Sequence, residues 1–98
     1  MFTEQADLKL LRIFLTIVEA GGFAAAQSDL NLSLSTISSY ITALETRLGF
    51  TLCKRGRGGF ALTAEGQVVF EEAHRLFKSV AHYENKMRAL RDRLSGTL

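Results

Sequence analysis

Between residues 33 and 57 the chain gathers two kinds of side chain suited to holding anions or hydrogen-bonding edges. The first kind is hydroxyl: Ser35, Ser38, Ser39, Thr42 and Thr46 recur at spacings that place them on one side of a helix, with Ser33 just ahead of it. The second is basic: Lys54, Arg55 and Arg57 fall in the run KRGRGG, and Arg47 is the only other charged residue between Glu45 and Glu65. Ser and Thr are mediocre helix formers, and a face that needs only solubility is better served by Glu and Lys. Short hydroxyl side chains instead let a helix approach a phosphate backbone or base edges closely and donate to either. The cations of a glycine-rich tip can hold phosphates. A merely polar helix surface and a solvated hairpin tip are the plainer alternatives.

Other chemistries fare worse. Cys53 with His74 or His82 would need an orienting carboxylate and an oxyanion device, and neither is evident, so packing is the expected role of the cysteine. The two histidines stand eight residues apart with no HxxxH pair and no third ligand, which argues against a metal. The glycine-rich run lacks GK[ST] and a following P-loop helix, which argues against nucleotide binding. No enzyme activity and no cofactor are expected.

These residues need elements to hold them. Asp7 reads as the N-cap of a first helix from Leu8 to about Ala20, stopped by Gly21-Gly22. Its main apolar face is Leu8, Leu11, Phe14, Leu15 and Val18. Leu10, Ile13 and Ile17 form a second apolar edge, an expected contact with another subunit if one small core cannot use both. Phe23 to Leu30 is a short second helix whose alanines permit a close crossing, and Asn31 tolerates the left-handed backbone of a sharp turn. Ser33 caps a third helix that ends at Gly49. At about 100° per residue, Ile37, Ile41, Leu44 and Leu48 fall within a sector of about 60°, which fixes the buried face and turns the hydroxyls outward. Thr51-Leu52-Cys53 and Phe60-Ala61-Leu62 alternate apolar residues around the basic tip and read as a two-stranded wing.

Thr63 caps a fourth helix, with Glu65 in its first turn, that runs to about Leu94. Val69, Ala73, Leu76, Val80, Tyr83, Met87, Leu90 and Leu94 follow one another at alternating steps of four and three, a coiled-coil seam. A helix of roughly 30 residues extends about 45 Å, too far for a small domain to cover. Homodimerisation is the expected use of the seam, with Phe70 and Phe77 packing back onto the globular part. Cover by a further domain is the alternative.

The 98 residues, 47% hydrophobic and 22% charged with no proline, allow one domain rich in long helices. A net charge of +2 names no partner by itself, although a sequence pI of about 9.0 leans toward anionic ligands. The lone Cys53 suits a reducing cytosol. With neither a signal peptide nor an 18-residue apolar run evident, a cytoplasmic protein without membrane attachment is expected. The expected fold is mostly α: a winged helix-turn-helix of three helices and a two-stranded wing, then a long dimerisation helix. Such a module commonly lays its second motif helix in the major groove of duplex DNA.

From Leu8 to Leu98 the chain resembles the N-terminal DNA-binding domain of LysR-type transcriptional regulators. Leu11 and Phe14 match the family's first helix, Gly22-Phe23 its glycine-aromatic turn, and Ala25, Ala26 and Leu30 its second helix. Ser33, Ile37 and Ser38 match the entry to its recognition helix. Leu44, Glu45, Leu48, Gly49, Leu52 and Arg55 match its Leu-Glu to Arg run, and Leu62, Thr63 and Gly66 match its Leu-Thr-x-x-Gly. Three departures fall on the reading surface: Leu34 where the family usually has Gln, Ser39 where it has Arg, and Tyr40 where Gln or His is frequent. Losing the two bidentate readers implies fewer direct base contacts and more use of hydroxyls and DNA shape. Leu34 is left either to meet a thymine methyl or to pack inward.

The resemblance implies a division into a winged domain at 1–62, a linker helix at 63–94 and, at 95–98, the first residues of an absent effector domain. It implies a bacterial regulator that binds an imperfect inverted repeat as a homodimer, with a tetramer in the full-length protein and a small-molecule effector bound only by the missing domain. Ser33, Leu34, Ser35, Ser38, Ser39, Thr42, Lys54, Arg55 and Arg57 are the expected DNA contacts. A protein-interaction adaptor on a winged scaffold, or a regulator of the molybdate-responsive type, are the alternatives.

Overall fold

The structure is a computed structural model that describes residues 4–56 and 59–96. Its order is α1 (Glu4–Ala20), α2 (Phe23–Leu30), α3 (Leu34–Leu48), β1 (Cys53–Gly56), β2 (Gly59–Leu62) and α4 (Ala64–Leu94). Three helices and a two-stranded antiparallel wing precede one long helix, as the residue pattern predicts.

α1 is the central element and packs against α2, α3 and α4. This corrects the expectation that its second apolar edge meets another subunit. Leu10, Ile13 and Ile17 lie in the core with Phe14, because a helix flanked by three others needs apolar side chains on most of its circumference. The cap is corrected too. α1 begins at Glu4, so Asp7 sits inside the helix, where it is only 7% exposed. Its carboxylate accepts both Nε and Nη2 of Arg47 on α3, the second bond at 3.0 Å. A residue whose type fits a local cap is used here for a bond across 40 positions of chain.

Asn31, at φ 54°, turns the chain sharply between α2 and α3. Ser33 then caps α3 by accepting the Thr36 N–H at 3.3 Å. Ile37, Ile41 and Leu44 fill the core from α3, and Ala26, fully buried, lets α2 cross it closely. Glycine at 49, φ 89°, ends α3 in the left-handed conformation.

In the wing, Cys53 pairs with Leu62, Lys54 with Ala61, Arg55 with Phe60 and Gly56 with Gly59. β1 therefore begins two residues later than the alternation suggests. The backbone of Leu52 is occupied elsewhere: its N–H donates to the Glu45 carboxylate at 2.7 Å, and its carbonyl accepts the Thr63 N–H at 3.0 Å. Those two bonds fasten the fully buried Leu52 between the end of α3 and the start of α4.

α4 begins with the Thr63 hydroxyl accepting the Gly66 N–H at 2.9 Å. Its first turns lie on the core through Val69 and Phe70, and Ala73 is buried. The Arg12 guanidinium then stacks over the Phe77 ring at 3.9 Å. Phe70 and Phe77 thus both face the globular part, as expected, and beyond them the helix runs on in solvent.

Candidate nucleic-acid interface

The outward side of α3 is the centre of the site. The cap Ser33 and, on α3, Leu34, Ser35, Ser39 and Thr42 are exposed, and Ser38 is half-buried. The hydroxyls are partly linked to one another. Ser33 Oγ donates to Thr36 Oγ1 at 2.8 Å and lies 3.3 Å from Ser35 Oγ, while Thr46 Oγ1 donates to the Thr42 carbonyl at 2.9 Å. The first two bonds hold the N-terminal end of the face in one arrangement. Leu34 does not pack inward: it is 45% exposed at the tip of the helix.

The wing stands beside α2. Its Phe60 packs on Phe23, the rings 5.9 Å apart and tilted by 58°. Lys54 is exposed on β1. The backbone of Arg55 is in the ladder, but its side chain lies outside the described residues, as does Arg57 altogether. Arg47, counted with this basic field in the sequence, is withdrawn from it by Asp7. The Asp7 hydrogen bond raises the Arg47 pKa above its ordinary value, with partial burial opposing and charge attraction adding to it.

One residue that the sequence reading did not place at the site, Lys9, borders the α3 surface beside Tyr40. Lys9 of α1 donates to the Tyr40 hydroxyl at 3.3 Å, with its ammonium 4.9 Å from the centre of the Tyr40 ring. This sets a cation beside α3. Nothing local signals it, since the partners are 31 positions apart.

The seam residues divide. Val69 is half-buried, and Ala73, 2% exposed, is covered within the chain. Leu76, Val80, Tyr83, Met87, Leu90 and Leu94 are exposed, and they account for six of the nine large exposed hydrophobic residues among those described. Most of the large apolar side chains exposed among the described residues thus lie in one stripe along α4. Among the described residues no group of three His, Cys, Asp or Glu side chains could hold a metal, and no helix is long and apolar enough to cross a membrane.

Residues 8–67 match the bacterial regulatory helix-turn-helix proteins of the lysR family. The chain belongs to the LysR family. It carries that family's winged helix-turn-helix domain with the long helix that follows. The HTH-type transcriptional activator BauR of Pseudomonas aeruginosa is 48% identical over 92 residues, which are 94% of this chain and 30% of BauR. The chain thus spans under a third of that LysR-type relative. The CbnR_DBD in its DNA complex is 34% identical with a TM-score of 0.74, over 85% of this chain and 95% of that one. The BenM_DBD in its complex with catB site 1 DNA is 28% identical, also with a TM-score of 0.74, over 93% of this chain and 97% of that one.

Proposed function

We propose that this LysR-type domain binds duplex DNA sequence-specifically as a homodimer. The observation that carries this reading is the exposed row of Leu34 and hydroxyl residues on α3, the second helix of a helix-turn-helix motif and the one that enters the major groove in proteins of this kind. Ser33, Leu34, Ser35, Ser38, Ser39 and Thr42 face base edges and adjoining phosphates. Lys54, Arg55 and Arg57 hold phosphates or enter the minor groove from the wing. Two chains meet along the seam from Leu76 to Leu94 and present two α3 helices, so the site is an imperfect inverted repeat. In the longer protein the dimer pairs into a tetramer in the cytoplasm, and a small effector binds outside this domain. Residues 1–62 read the DNA, 63–94 link and dimerise, and 95–98 lead into the effector domain. The LysR membership and the likeness to domains solved with DNA support the reading.

Titration of a labelled duplex pool at several salt concentrations tests it. Arg55→Ala is expected to weaken binding to all duplexes alike and to flatten the plot of log affinity against log salt by a slope of about 0.9, the value for one phosphate left unneutralised. An unchanged slope would remove the wing from the interface. The six exposed seam residues alone would suit an adaptor equally well. An adaptor, however, has no use for the α3 face, and it would leave the duplex pool unbound.

A further inference from the structure

Among the described residues of α1, α2 and α3, Leu34 is the only large hydrophobic side chain that is exposed; the others are Phe50, past the end of α3, and residues of α4. It stands at the first position of α3, next to the cap Ser33, with Ser35 beside it and Ser38 one turn along the same side. Ser33, Ser35 and Thr36 are linked through their hydroxyls, so this end of the helix offers hydrogen bonds that are already partly used and one unused apolar surface. On the major-groove edges of the base pairs the thymine C5 methyl is the one apolar group that projects into the groove; beside the donors and acceptors, cytosine offers only a C5–H at that place. Pressed against a guanine or adenine edge, Leu34 would strip water from polar atoms and return no hydrogen bond. Pressed against a methyl, it removes apolar surface from water on both sides.

We infer that Leu34 is a specificity-determining residue that reads the 5-methyl group of a pyrimidine, a thymine at one fixed position in each half-site. This rests on the DNA-binding reading above and adds to it the chemistry of one base. A cytosine carrying a 5-methyl group presents the same surface at the same place in the groove, so Leu34 accepts it there where it rejects plain cytosine.

The test alters the DNA before the protein. Duplexes retained from a random pool are remade with uracil in place of every thymine, then with single replacements. One position per half-site is expected to be sensitive, losing about fourfold in affinity for each methyl removed, from ~0.8 kcal/mol per buried carbon. Leu34→Ala is expected to bind the thymine and uracil duplexes equally at that position, and 5-methylcytosine there is expected to bind the wild type better than cytosine does. Because the side chain is exposed, the variant's melting temperature should match that of the wild type, which separates recognition from folding. Uracil duplexes that bind as tightly as thymine duplexes overturn the inference while leaving DNA binding intact, and so does a methyl effect that survives Leu34→Ala. If no duplex binds, the proposed function fails with it.

Discussion

Gly66→Ala is expected to lower the melting temperature by at least roughly 12 °C. A Cβ at this position would lie 1.9 Å from the carbonyl oxygen of Leu52 and 2.8 Å from its carbon, both of them backbone atoms with no rotamer to move away. That carbonyl is also the acceptor for the Thr63 N–H, and the Gly66 N–H is the one the Thr63 hydroxyl caps. The extra methyl therefore strikes the joint where the wing, the end of α3 and the start of α4 are tied together. Overpacking of about 3 kcal/mol, at about 4–8 °C per kcal/mol for a chain of this size, gives the figure. Thermal unfolding followed by circular dichroism, at one fixed protein concentration, measures it. A variant that melts within about 3 °C of the wild type would mean that α4 does not rest on Leu52 as described.

The second large effect concerns assembly. Val80→Lys combined with Met87→Lys places two ammonium groups in the middle of the exposed stripe, where a facing copy would have to bury them. The single chain loses nothing, because both side chains are already exposed in it and lysine is a good helix former. We expect the wild type to sediment as a dimer and the double variant, with unchanged helix content, to sediment as a monomer at the same concentration. Its affinity for a duplex with two half-sites should fall by about 10²-fold or more, since the second half-site is no longer joined to the first. Its affinity for a single half-site should hardly change. A double variant that remains dimeric would place the subunit contact elsewhere.

The elements that carry the site are legible in the sequence because each is signalled within a few residues. Ser33 and Gly49 bracket α3, Thr63 opens α4, Asn31 marks the turn, and Ile37, Ile41 and Leu44 point to the core. The illegible parts depend on residues that come together only on folding. Asp7 looks like a cap until Arg47 arrives, and Lys9 has no visible partner until α3 lies beside α1. Leu10, Ile13 and Ile17 look surplus until α1 proves to have three neighbours. The seam reads as one continuous stripe, yet α4 spends Val69 and Ala73 on its own chain, so the open part begins at Leu76. Leu34 is the instructive case for function. On a helical wheel it lies about 20° from Ile41, which leaves an inward position open to it. As the first residue of α3 it is left 45% exposed instead.

The most direct test of the whole account is selection from a random-sequence duplex library at about 150 mM salt, with sequencing of the retained DNA. A dimer that reads bases through α3 predicts enrichment of an imperfect inverted repeat, with a thymine fixed at the same place in both halves. Retention without any enriched sequence, or no retention at all, would contradict it.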